Sequence, residues 1–161
     1  AYSEAIKRNP NNPELPLMLA QLELNKGSIE AARSYIQNAI ALKEDYADAY
    51  LALARLEIEQ NNISGAIVST ETLTRILPDN AGVYFELGVL KYSSGDYAGA
   101  RVALVRALEL VPDYANAKYY LALTLAKENR TDEARAYLEE LIIENPDNAE
   151  LKAAIQSLGK K

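Results

Sequence analysis

Neither cysteine nor histidine occurs anywhere in the 161 residues. There is accordingly no thiol nucleophile and no disulfide framework, and the side chain that most often moves protons near neutral pH is missing. Zinc sites lose their usual ligands for the same reason, so neither a metal nor a cofactor is expected. Acid–base chemistry would fall to carboxylate pairs such as Glu139–Glu140. A working pair sits in a pocket that separates its two pKa values, whereas these two are expected on an outer helix, solvated among other charges. The sequence has no glycine-rich phosphate loop and no Gly-x-Ser-x-Gly turn. Asn62-Ile63-Ser64 and Asn129-Arg130-Thr131 match the N-glycosylation acceptor pattern, but both fall in turns where helix capping already accounts for Asn, Ser and Thr. Catalysis by these residues is not expected; the chemistry left to them is recognition at a surface.

Charge narrows the partners. Against 17 Lys and Arg stand 23 Asp and Glu, a formal charge of −6, which repels phosphate backbones and argues against nucleic acid. No apolar run approaches the roughly 20 residues of a membrane helix, and no signal peptide opens the chain, so direct membrane insertion is not expected. The compartment is left open.

The elements that carry this surface are set by an internal repeat. Ala32, Ala66, Ala100 and Ala134 fall 34 residues apart. Leu19, Leu53, Leu87 and Leu121 keep the same interval, each followed by a small residue: Ala20, Ala54, Gly88 and Ala122. A proline followed by Asp or Asn recurs at Pro10–Asn11, Pro78–Asp79, Pro112–Asp113 and Pro146–Asp147, with Glu44–Asp45 in the equivalent place where proline is missing.

Each unit holds two stretches of helical spacing. In the third, Val83, Leu87, Leu90 and Lys91 follow one face, then Ala100, Leu104, Ala107 and Leu108 another. Between them lie short turns: Lys26-Gly27-Ser28, Gln60-Asn61-Asn62, Ser94-Gly95-Asp96 and Glu128-Asn129-Arg130. Gly or Asn closes a helix in the left-handed conformation, and Ser, Asn or Asp caps the next. Between units, proline stops one helix and the following Asp or Asn caps another. The small residues mark where two helices cross closely. One pair cannot bury both of its apolar faces, so neighbouring pairs must stack.

These columns resemble the tetratricopeptide repeat (TPR) family over nearly the whole chain. The resemblance implies an all-α fold, a right-handed α-solenoid of stacked antiparallel helix pairs. A single domain then comprises repeats at 13–46, 47–80, 81–114 and 115–148. Residues 1–12 read as the second helix of a preceding unit, with Ala5 in the small column, and 149–161 as a capping helix. Leu151, Ile155 and Leu158 make that helix's apolar face, with Lys152, Gln156, Lys160 and Lys161 turned to solvent. A start inside a repeat suggests a piece of a longer protein. The sequence also departs from the pattern. The early aromatic of the first helix, present as Tyr50 and Tyr84, is replaced by Pro16 and Lys118; its later aromatic is replaced by Glu23, Glu57, Lys91 and Leu125. Thr70 stands in a bulky column, and with Thr72 and Thr74 nearby that helix is expected to be the weakest.

In this family the first helix of each pair lines the concave face. The resemblance thereby turns inward Glu14, Leu17, Gln21, Leu24 and Asn25; Asp48, Leu51, Arg55, Ile58 and Glu59; Phe85, Val89, Tyr92 and Ser93; and Asn116, Tyr119, Leu123, Ala126 and Lys127. This set is more apolar than exposure favours, and exposed apolar patches with aromatic anchors mark interaction sites. The expected site is a concave groove centred on repeats two to four, binding a hydrophobic or amphipathic peptide or helix. Its residues are Leu17, Leu24, Leu51, Arg55, Ile58, Phe85, Val89, Tyr92, Tyr119, Leu123 and Lys127, with Arg55 and Lys127 meeting acidic positions on the partner. Phe85→Glu is expected to abolish binding without unfolding the domain. The family's clamp for a C-terminal carboxylate is not assembled, because the matching places hold Leu51, Arg55, Glu86, Asn116 and Tyr120. Other readings are a structural spacer, a module that self-associates through exposed repeat ends, and the soluble tail of a larger membrane-bound enzyme.

Overall fold

A computed structural model describes Asn9 and residues 11–159. Among these residues all regular structure is helical: α1 Glu14–Asn25, α2 Ile29–Leu42, α3 Ala47–Glu59, α4 Ile63–Ile76, α5 Ala81–Ser94, α6 Tyr97–Leu110, α7 Ala115–Lys127, α8 Thr131–Glu144 and α9 Ala149–Leu158. The expected helix at 1–12, with Ala5 and Pro10, falls almost wholly outside the described residues, as do Lys160 and Lys161. The fold class is the all-α helical repeat, in consecutive pairs as the spacing predicts. The chain divides after Pro78 into two compact units, one with α1–α4 and one with α5–α9. No described helix is long and apolar enough to cross a membrane.

The turns within pairs obey one rule. Gly27, Asn61, Gly95 and Asn129, at the 34-residue interval, all take positive φ, between 56° and 85°. Those are the residue types that reach the left-handed region at least cost. Capping is more selective than the sequence suggests. Asn62 accepts from the Gly65 amide and Asp96 from the Gly99 amide, but Ser28 makes no such bond. Between pairs, Asn80 and Asn148 cap the following helices. Two of the Asp residues that follow proline lie near a cation: Asp79 is 3.8 Å from Arg106, and Asp113 is 3.5 Å from Lys118.

The recurrent columns form the interior. Ala32, Ala66, Ala100 and Ala134 are completely buried, as are Ala20, Ala54 and Ala122 to within 1%. Facing them, Ile36, Thr70, Leu104 and Leu138 are the bulky side chains of the second helices, all fully enclosed. Thr70 does not leave its column open: it is fully buried and donates to the Ala66 carbonyl at 2.8 Å. Thr72 and Thr74 likewise turn back onto their own helix, and α4 keeps its full span. In α9, Leu151 is buried, and Ile155 and Leu158 pack on the same cluster.

Charge is also buried at two positions in the places where the family pattern sets aromatics. Glu57 is buried, pairs with Arg33 of α2, and accepts from Asn62 at 2.6 Å. Lys118 is buried between Glu140 and Asp113. The hydrogen bond to Glu140 holds the Lys118 ammonium above its ordinary pKa although burial opposes it. Glu140 is thus an ion-pair partner across the α7–α8 pair, not merely the solvated carboxylate expected from sequence. No buried side-chain nitrogen or oxygen among the described residues lacks a partner.

Two glycines separate backbone from packing. At Gly95 an added Cβ would meet nothing within 4 Å, yet φ is +85°. Gly95→Ala is therefore expected to cost about 1–2 kcal/mol through the backbone alone. At Gly88, inside α5, the backbone favours alanine by about 1 kcal/mol, but the new Cβ would stand 2.5 Å from Leu104 Cγ. Overpacking of that kind costs roughly 1–3 kcal/mol, so Gly88→Ala should be net destabilising, and in a chain that carries Leu104→Ala, which lacks the γ-carbon, Gly88→Ala should no longer cost stability. Denaturant melts of the single and double variants check both; a Gly88→Ala effect indifferent to residue 104 would contradict the packing account.

Candidate functional site

α1 and α3 are the first helices of adjacent repeats, and between them runs a trough of about 560 Å³. Its floor is Leu17, Leu24, Leu51 and Ala52, with Tyr46 at one end; Glu14, Asp48, Gln21 and Arg55 supply the polar rim. The two walls are in step because the 34-residue register pairs Glu14 with Asp48, Leu17 with Leu51 and Gln21 with Arg55. Tyr46 precedes α3 and fixes the acidic end. Burial, then the charges of Asp48 and Glu14, push its phenol above the ordinary range.

In the second unit the corresponding strip holds rings. Phe85 of α5 lies 5.0 Å from Tyr114 and 5.7 Å from Tyr120 of α7, centroid to centroid. Tyr92 meets Tyr97 at 5.6 Å and Tyr120 at 5.9 Å, and Tyr119 meets Tyr120 at 5.9 Å. Most of these contacts are edge-on, the arrangement the ring quadrupole favours, at about 0.5–1.5 kcal/mol each. The register explains the difference between the units. Phe85 stands where the first unit has Leu17 and Leu51, and Tyr120 stands where it has Ala52. Two large rings occupy places that in the first unit hold a leucine and a methyl group.

Of the residues expected to bind, Leu17, Leu24, Leu51 and Arg55 line the trough, and Ile58, 39% exposed, is one turn beyond Arg55 on the same register. Phe85, Tyr92 and Tyr119 are half-buried and engage other rings; Val89 and Leu123 are half-buried on the same helices, and Lys127 is exposed at the end of α7. Tyr119 is further committed, since its hydroxyl donates to Glu150 of α9 at 2.8 Å. Phe85 packs on the core of its unit, so Phe85→Glu is not the innocent probe that the sequence suggests. The residues sequence reasoning missed are Tyr46, Ala52 and Tyr114. A signal existed for the two tyrosines, which share one repeat column with the capping Asn80 and Asn148.

Models of the family described as tetratricopeptide repeat match residues 26–87 and 91–158, and a further model of that description matches 1–42. No curated protein sequence matches the chain. Among solved structures, it is similar to YrrB, described as a TPR protein with an unusual peptide-binding site, with a TM-score of 0.83 and 22% identity over 98% of this chain and 81% of that one. MamA gives a TM-score of 0.76 and 23% identity over 93% and 88% of the two chains. A tetratricopeptide repeat protein from Parabacteroides merdae gives 0.80 and 20% over 98% and 62%. At these identities the likeness is one of fold.

Two expectations follow for the ringed unit. Phe85→Glu should lower its thermal midpoint by several degrees, because a carboxylate replaces a packed ring; an unchanged midpoint by circular dichroism would remove the structural role. Burial, reinforced by the bond to Glu150, raises the Tyr119 phenol to about 12. A raised folded pKa means that this stabilisation is complete below the ordinary tyrosine pKa, near 10, and is lost as pH climbs from there through the folded value. Tyrosinate absorbance should show a late step that Tyr119→Phe removes, and the same substitution should speed amide exchange in α9.

Proposed function

The chain belongs to the tetratricopeptide repeat family, and on that footing we propose that it is a non-catalytic protein-interaction scaffold whose α1/α3 trough receives a hydrophobic or amphipathic peptide or helix. One observation carries the reading. The trough has a leucine floor open to solvent between two first helices, at the place where the second unit is filled by its own rings. Apolar floors with a few convergent polar groups are what peptide grooves require. The rim bears two carboxylates, which disfavours a phosphate backbone and agrees with the chain's net negative charge. The peptide-binding site in the description of YrrB supports this use of the fold.

Filling the trough tests the proposal better than charging it. Leu17→Phe with Ala52→Tyr installs in the first unit the residue types of Phe85 and Tyr120. Leu51→Asp is a second probe at a side chain outside the packed core cluster. Random twelve-residue peptides selected on the immobilised wild-type protein should lose affinity for both variants by about tenfold or more, roughly 1.4 kcal/mol. Val102→Tyr, at an exposed position of α6, should leave them bound. Peptides that bind the filled and wild-type proteins equally would sink the assignment.

A further inference from the structure

The trough is polar along its length as well as apolar across its floor. Glu14 and Asp48 stand in the first turns of α1 and α3, Leu17 and Leu51 one turn on, Gln21 and Arg55 two turns on, and Leu24 a turn further. At 1.5 Å per residue the carboxylates lie about 10 Å from Arg55 along the helix axes. Glu14, Asp48 and Arg55 are all exposed, and none makes an ion pair among the described residues. The rim charges therefore have no opposite charge beside them, unlike Arg33, Arg101 and Lys118, each of which has a carboxylate partner. Two helix N-termini contribute about half a positive charge each at the acidic end. Two carboxylates exceed that, leaving about one net negative charge there, opposite the guanidinium at the other end.

Resting on the scaffold reading above, we infer that the occupant is a bipolar amphipathic helix, with a Lys or Arg seated at Glu14 and Asp48 and an Asp or Glu at Arg55. In a helix a separation of about 10 Å is seven residues, with apolar side chains at the intervening third and fourth positions to meet Leu17 and Leu51. The direction follows as well. A helix favours acid near its N-terminus and base near its C-terminus. The ligand that satisfies this and the trough together carries its acid first and its base last, and runs antiparallel to α1 and α3. This is a charge-complementary partner, and the complementarity sets both its register and its direction.

The test uses two hydrocarbon-stapled helices of identical composition, Glu-Ala-Ala-Leu-Leu-Ala-Ala-Lys and Lys-Ala-Ala-Leu-Leu-Ala-Ala-Glu, and a third with Gln at both ends, titrated by fluorescence anisotropy. The acid-first helix should bind the wild-type protein at least fivefold tighter than either other helix, and the gap should narrow as salt rises. Arg55→Glu, an exposed change, should remove at least fivefold for the acid-first helix and leave the Gln helix unchanged. Adding Glu14→Lys and Asp48→Lys should invert the order of the two charged helices; if that triple variant does not fold, Arg55→Glu alone decides. Equal binding of the three helices, or a base-first preference, overturns the charge inference, and if Leu17→Phe with Ala52→Tyr still blocks library peptides the trough reading stands without it. Failure of all three helices together with library peptides indifferent to the filled trough overturns both.

Discussion

Helix pairs in this protein cross closely because nothing larger than a methyl group stands at the crossing. Ala32, Ala66, Ala100 and Ala134 are completely enclosed, and the facing helices offer Ala20, Ala54, Gly88 and Ala122. Interiors are packed at crystal-like density, so the tolerance at these points is less than one methylene. The Gly88–Leu104 contact leaves no room even for a methyl group at its present spacing. The rest follows from that closeness: the bulky column of Ile36, Thr70, Leu104 and Leu138 reaches full burial, and the left-handed turns at Gly27, Asn61, Gly95 and Asn129 have to be tight.

Because stacking is secured by those columns, others are free to vary, and the variation decides where a cleft exists. The column holding Leu17, Leu51, Phe85 and Tyr119, and the one holding Ala52 and Tyr120, tolerate side chains of very different size. Small members in the first unit leave a trough of about 560 Å³. Large ones in the second unit close on one another as a chain of rings. Cleft and ring chain are thus two occupancies of one frame. The aromatic character that makes the second unit look like a binding surface in the sequence is partly spent on its own cohesion.

This marks the boundary of what the sequence reveals. Everything that recurs every 34 residues is legible: helix pairs, crossing alanines, left-handed turn residues and the apolar face of α9. Four of the expected binding residues do line the trough, because the family's register fixes which face of each first helix they occupy. What does not recur is harder to read. Whether Phe85 faces a partner or Tyr114 depends on a residue 29 positions away in another column. Glu140 looks solvated until Lys118 is seen beneath it. Ser28 looks like a cap, but its hydroxyl accepts from no amide of α2. Periodicity reports what each position has in common with its equivalents, and pairwise commitments are made between positions that have none.

Those non-recurring pairs also address a problem that the recurring ones create. Four nearly identical apolar columns would accept a stack displaced by one whole repeat, since leucine and alanine would again meet leucine and alanine. The charged exceptions would not. Arg33 reaches forward from α2 to Glu57 of the next first helix; one repeat further on, the position of Glu57 is held by Lys91, and beyond that by Leu125. A displaced stack would therefore set the half-buried Arg33 against a like charge or leave it without its acceptor. Arg101 is selective in the same way, because the positions equivalent to its partner Glu128 are Lys26, Gln60 and Ser94. A buried ion pair adds little net stability over a well-packed apolar pair, so stability is a poor reason for Glu57 or Lys118 to stand at buried positions. The alanines make the repeats stackable; Glu57 and Glu128 tie successive repeats through Arg33 and Arg101, whereas Lys118 and Glu140 tie the two helices of one repeat.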